Sequence, residues 1–233
     1  MTKGNPTNAK FHDVLEAAAR LQQIVPDAVL VGGTAAAHHA GHRISFDDDH
    51  VLTDLQHRFD AVLRALEDTT GWVTSRVRPQ VLILGSLNGI ETGIRQLIRR
   101  RPLETEVVSF GERTLQVPTI AEIFRIKGWL VLRRNAVRDY LDVVALADRL
   151  GARRSAELVL SLDEYYEDQI GADGLRISTQ LIKQLAEPAP YDLSMVELAR
   201  YRELDQRWRD WPTVVTAARA LASDTLDLLS ERA

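Results

Sequence analysis

The chain has 233 residues, 45% of them hydrophobic, enough for one large domain or two small ones with a real core. It has no cysteine, which excludes disulfides, thiolate metal sites and cysteine nucleophiles. The net charge of −4 gives no global basic signature for nucleic acid, and no stretch approaches the roughly 18 apolar residues of a membrane span. The polar start, MTKGNPTNAK, carries no signal-peptide pattern, so the expectation is a cytoplasmic protein with no membrane partner. Four lysines stand among 29 basic residues, which draws attention to Lys127, where arginine would serve as a plain surface charge.

Residues 1–9 read as a disordered leader. Residues 11–24 carry apolar side chains at Phe11, Val14, Leu15, Ala18, Leu21 and Ile24, a helical spacing with one buried face. Pro26-Asp27 ends that helix, and residues 28–31 form a short apolar run of buried-strand type. Gly32-Gly33-Thr34 reads as a turn into a short helix over 35–40. Glycine there allows a ligand close to the backbone, and the first turn of a helix offers unpartnered N–H groups to an anion such as phosphate. The sequence is neither a P-loop nor a dinucleotide fingerprint.

Asp47-Asp48-Asp49 follows. An acidic run is ordinarily a solvated loop, but this one is embedded among Ile44, Phe46, Val51 and Leu52, where unpaired carboxylates cost desolvation. On an extended strand, Arg43, Ser45, Asp47 and Asp49 share one face and Asp48 takes the other. Two carboxylates on one side repel unless a cation sits between them, and magnesium is the usual hard dication.

Thr53 or Asp54 is placed to cap a helix running to about Glu67, with Leu55, Phe59, Val62, Leu63 and Leu66 on its apolar stripe. Strands are expected over 72–77, 81–84 and 90–94. Another over 106–110 turns at Gly111-Glu112 into a strand over 114–117. From Pro118 the pattern becomes helical, over 118–134, 137–150, 154–169, 175–186, 193–208 and 212–229, with Asn135 and Gly151 as breaks. The predicted fold is α+β: a small mixed sheet with flanking helices over 1–117, then a helical domain over 118–233 that completes an active-site cleft.

The order Gly-Gly-Thr, a spacer of eight residues, then Arg43-x-Ser45-x-Asp47-x-Asp49 resembles the signature of the DNA polymerase β-type nucleotidyltransferase superfamily. It is similar in particular to the AbiEii/AbiGii-type nucleotidyltransferase toxins. A second block, residues 119–146, resembles that family's lysine-bearing helix and Arg-Asp helix, with Glu122 and Lys127 on the first and Arg138, Asp139 and Asp142 on the second. The resemblance covers about residues 20–150.

The resemblance implies a metal-dependent nucleotidyltransferase. Gly32, Gly33 and Thr34 would hold the triphosphate, with Arg43 and Ser45 among the nucleotide-binding residues. Asp47 and Asp49 would hold magnesium, Lys127 would offset developing negative charge, and Asp139 or Asp142 would orient Lys127 or the acceptor. The implied acceptor is RNA, at the 3′ end of a tRNA, and a cognate antitoxin protein would restrain the activity. An enzyme modifying a small molecule and a nucleotide-binding protein without turnover are the alternatives.

Read as residues alone, Lys127 can be a snorkelling lysine on a core helix, and Arg138 and Asp142 can pair along one helix face. His42 is placed to hydrogen-bond a phosphate, and Arg99-Arg100-Arg101 reads as a solvated basic run. The pattern departs from the family in its third carboxylate. GSLNGIETGIRQL offers Glu91 alone, and Gly93 or Arg95 can occupy that position instead. Asp48 and His50 also stand where apolar residues are commoner.

Overall fold

A computed structural model of the chain describes residues 6–46, 48–110, 112–196 and 198–232. Asp47, Gly111 and the first five residues of the expected leader lie outside the described residues. The chain folds as two units, Met1–Ala35 with Ser45–Thr119, and Ala36–Ile44 with Ile120–Ala233. The α+β architecture read from the sequence is observed, with a five-stranded mixed sheet, a two-stranded hairpin and a helical C-terminal half.

In the first unit, α1 (Pro6–Ile24) leads into β1 (Val29–Leu30), and the first turn of α2 (Gly32–Ala40) follows directly. β2 (Asp48–Leu52), α3 (Leu55–Glu67), β3 (Trp72–Arg78), β4 (Leu82–Leu87) and β5 (Ile90–Gln96) complete the main sheet. Its order is β1-β2-β5-β4-β3, with β2 and β5 parallel and the other neighbours antiparallel. Asn88 and Gly89, both at positive φ, form the two-residue turn between β4 and β5, which suits the twist of a tight hairpin. β6 (Thr105–Phe110) and β7 (Arg113–Pro118) form the second, two-stranded sheet.

Leu55, Phe59, Val62 and Leu66 of α3 pack with Leu21 of α1 and with Leu52, Ile83 and Ile94 of the sheet. That core fixes which face of β2 is buried. Asp48, His50 and Leu52 alternate onto it, and all three are sealed from solvent. Asp49 therefore takes the other face, which agrees with the alternation read from the sequence.

Four expectations are corrected. Helix α1 already begins at Pro6, so residues 6–9 are not a disordered leader. The strand begins at Asp48, and residues 43–46 are not strand, so Arg43 and Ser45 do not continue the strand face of Asp49. Asp54 makes no side-chain cap; its carboxylate accepts from Arg58 Nε at 2.9 Å instead. Gly32-Gly33-Thr34 is not a turn ahead of the helix but its first turn, entered through Gly32 at a φ of 74°.

The second unit contains the end of α2, α4 (Ile120–Arg134), α5 (Val137–Leu150), α6 (Ala152–Tyr165), α7 (Ile177–Ala186) and α8 (Trp211–Glu231). The expected helix over 193–208 is absent. Two short 3-10 turns, Leu198–Arg200 and Gln206–Trp208, lie in that stretch instead. The reason is where its backbone groups are used. Arg202 O accepts from Ile44 N at 3.0 Å, and Asp205 N donates to His42 O at 2.7 Å. Those groups tie the 42–44 loop and are withdrawn from any helical ladder.

Asp48 and His50 form a buried polar pair within the first unit. Thr92 Oγ1 donates to Asp48 Oδ2 at 3.1 Å, and His50 Nδ1 lies 3.3 Å from Asp48 Oδ1. Burial pushes the Asp48 carboxyl well above its usual range and brings the His50 imidazole down to about 3. Both groups are thus driven toward their neutral forms, and the 3.3 Å approach is a neutral contact rather than an ion pair.

The two groups act on stability with opposite signs. The stabilising contribution of neutral His50 is complete above its ordinary value of 6.5 and is lost as pH falls toward about 3. That of protonated Asp48 is complete below 3.8 and is lost as pH rises through its raised value. Between pH ~4 and ~6 the slopes oppose, each up to about 1.4 kcal/mol per pH unit. Denaturant titrations at several pH values should therefore show Asp48→Asn losing stability with acid more steeply than the wild type, and His50→Gln less steeply.

Candidate functional site

The residues singled out in the sequence fall into two groups, one in each unit. The group in the first unit is built on β2, β5 and the start of α2. Asp49 pairs with Gly93 across the parallel β2–β5 ladder. A Cβ on Gly93 would stand 3.2 Å from Asp49 Oδ1 and 2.8 Å from Leu84 Cδ2. A Cβ on Gly32 would stand 3.2 Å from Asp49 Oδ2. The carboxylate thus occupies a cradle with a glycine on each side, which larger residues would fill. Val31 N donates to Asp49 O at 2.7 Å, so the backbone beside the cradle is itself fixed.

The Asp49 side chain is 31% exposed, and no hydrogen-bond donor among the described residues reaches it. Its one ion-pair neighbour among them is Arg95, with Nε at 3.8 Å from Oδ1. Glu91, Gly93 and Arg95 alternate onto the same face of β5. The position opposite Asp49 is a glycine, with an acid two residues before it and a guanidinium two residues after. Gly32, Gly33 and Thr34 supply the first turn of α2. Ser45 is buried in the same unit.

An underbonded, partly exposed carboxylate in a glycine cradle has the chemistry and the space of a hard-cation ligand. Asp49 is therefore suited to serve as one ligand of such a cation. Among the described residues, no group of three or more histidines, aspartates or glutamates is gathered to hold a metal by itself.

The group in the second unit has the opposite character. Asp142, on α5, is fully buried and saturated. It accepts from Arg43 Nε at 2.9 Å and Nη2 at 3.1 Å, from His42 Nε2 at 2.7 Å, and faces Lys127 Nζ at 2.6 Å. Burial alone would raise its pKa, but Arg43, Lys127 and His42 outweigh burial and hold the carboxyl well below the usual range.

Asp139, one turn away, is equally buried. Its Oδ1 is 3.9 Å from Lys127 Nζ, and neither of its oxygens has a hydrogen-bond partner among the described residues. Burial raises its pKa, with Lys127 and Arg134 opposing.

Several side-chain expectations are revised here. Lys127 does not snorkel; it is 2% exposed and ion-paired. Arg138 lies on the exposed side of α5, while Asp142 turns inward to Arg43, His42 and Lys127. His42 spends its Nε2 on Asp142. Arg99 is not a solvated member of a basic run, since it is buried and donates to the carbonyls of Arg101 and Pro102.

Sequence reasoning gave Arg95 no role. Its signal was its place two residues after Gly93, but the parallel register is needed to read it. His42 as a partner of Asp142 had no sequence signal, because the two are 100 positions apart.

No protein-family model matches the chain. The chain is 33% identical over 215 residues to the heme uptake protein MmpL11 of Mycobacterium tuberculosis, a match covering 81% of this chain and 20% of that protein. To the mycolic acid-containing lipids exporter MmpL11 of Mycolicibacterium smegmatis it is 29% identical over 191 residues, covering 80% and 19%. The chain thus spans about a fifth of the length of the curated relatives it matches. No helix among the described residues is long and apolar enough to cross a membrane.

Among solved structures, a Helicobacter pylori protein, itself only provisionally assigned as a nucleotidyltransferase, aligns with a TM-score of 0.42 at 14% identity, over 94% of this chain and 96% of that one. JHP933 from the same species aligns with a TM-score of 0.41 at 13% identity, over 94% of each chain. Likeness at this level assigns no fold or function to the present chain.

The two carboxylates should respond differently to neutralisation. Asp142→Asn removes the buried charge that Arg43, His42 and Lys127 share and should cost about 3–5 kcal/mol in a denaturant titration. Asp49→Asn removes an underbonded, partly exposed charge and should change stability by no more than about 0.5 kcal/mol.

Proposed function

We propose that this chain is a metal-dependent nucleotidyltransferase that moves a nucleotide from a nucleoside triphosphate to an acceptor. The observation that carries the reading is the Asp49 carboxylate, poorly bonded and partly exposed between Gly32 and Gly93. Asp142, by contrast, is sealed and fully paired. The second support is the Gly-Gly-Thr and Arg-x-Ser-x-Asp-x-Asp pattern itself.

In this reading Gly32, Gly33 and Thr34 bind the β- and γ-phosphates through N–H groups of the first turn of α2. Ser45 hydrogen-bonds the nucleotide, and Arg43 belongs to the same binding set. Asp49, with Asp47, holds magnesium, which when bound neutralises the triphosphate and favours attack at the α-phosphate. Lys127 offsets negative charge, and Asp142 keeps it oriented, with Asp139 beside it. The helical residues 118–233 form the domain that carries this second set. The acceptor is RNA, at the 3′ end of a tRNA, and the protein acts as a toxin held in check by an antitoxin; both statements rest on the motif resemblance.

A second reading has a specific observation behind it. Gly93, not a carboxylate, faces Asp49, and no acid activates an acceptor hydroxyl from that position. A protein that binds nucleotide without turnover is consistent with this.

The deciding experiment incubates the protein with each labelled nucleoside triphosphate, magnesium and total cellular RNA. The expected result is label on small RNA, lost by at least ~100-fold in Asp49→Asn, the scale of losing charge stabilisation in the transition state. Nucleotide binding without transfer would favour the second reading, and transfer to a small hydroxylated or amino compound would replace the RNA acceptor.

A further inference from the structure

We infer that Arg95 is a positioning residue that occupies the Asp49 carboxylate in the absence of ligand and couples metal binding to nucleotide binding. The inference rests on the metal-binding reading of Asp49. Arg95 stands on the β5 face shared with Gly93, and its guanidinium lies 3.8 Å from Asp49 Oδ1. Among the described residues Asp49 is the acid within ion-pair reach of Arg95, and Arg95 the base within reach of Asp49. The Arg95 side chain is 44% exposed, so its charge stands beside Asp49 in contact with solvent.

A fixed positive charge beside a ligand carboxylate opposes a second cation at the same oxygen. Divalent metal alone therefore binds weakly. A metal–triphosphate complex brings its own acceptor oxygens, which offer the guanidinium a bidentate partner better matched than a loose contact at 3.8 Å. Arg95 then passes from Asp49 to phosphate, and Asp49 is released to the metal. Gly93 leaves the space for this exchange, since any side chain there would meet the Asp49 carboxylate and Leu84. Gly93 thus supplies no carboxylate opposite Asp49, and Arg95, two residues on, supplies a group that makes metal binding conditional on nucleotide.

The test measures manganese binding by electron paramagnetic resonance or calorimetry, without nucleotide and at low ionic strength. Arg95→Gln should tighten manganese binding by about three- to tenfold, an effect that shrinks as salt screens the pair. Arg95→Lys, which keeps the charge, should stay near the wild type. In the presence of manganese, Arg95→Gln should weaken binding of a non-hydrolysable nucleoside triphosphate by about fivefold. Unchanged manganese affinity in Arg95→Gln, with manganese binding still abolished by Asp49→Asn, would overturn the inference and leave the metal site standing. Unchanged manganese affinity in Asp49→Asn would overturn the metal reading and the inference with it.

Discussion

Asp142 gathers Arg43, His42 and Lys127 around one carboxylate that water does not reach, and the second unit is organised by that contact. It joins α4 and α5 to the 42–44 loop, some 85 to 100 positions earlier in the chain. Basic side chains in a buried place demand an anion, and Asp142 supplies it at hydrogen-bonding distance. The 42–44 loop is then fixed a second time by its backbone bonds to Arg202 and Asp205. Those bonds in turn explain why residues 193–208 cannot be a helix.

Asp49 shows what a carboxylate looks like when the fold does not consume it. It lies on a strand whose other face is locked by Leu52 and the α3 core, so its direction is set by β alternation rather than by partners of its own. Glycines on either side hold space open around it. Asp49 and Asp142 thus differ on physical grounds: Asp142 is saturated by buried partners, and Asp49 is partly exposed with a single loose contact to Arg95 among the described residues. Asp139 is intermediate, sealed like Asp142 yet with no hydrogen bond to its oxygens among the described residues, and with Lys127 at 3.9 Å.

Much of the fold was readable in the sequence because its signals are local. Helical spacing over 11–24 and 55–67, the apolar run before Gly32, the strand runs from Trp72 to Val117 and the break at Asn135 all reflect short-range periodicity and backbone preference. The opposite facing of Asp48 and Asp49 was also readable, since alternation on a strand needs no knowledge of the partner strand. The expected helix over 193–208 failed because its backbone groups are claimed by a loop some 160 residues earlier, an interaction that no local pattern records. The strand face drawn through Arg43 failed for the same kind of reason, because Arg43 is drawn to Asp142.

The sequence by itself determined most of the element types and the opposite faces of Asp48 and Asp49 on their strand. Only the tertiary structure decided that Arg43 and His42 fold with the helices, that Lys127 is held by Asp142, and that Gly93 and Arg95 flank Asp49 from the neighbouring strand. Periodicity and turn chemistry act over a few residues and can be read along the chain. Charge pairing and strand register join residues from about 45 to 100 positions apart, and their cost or gain exists only once the chain has closed those loops.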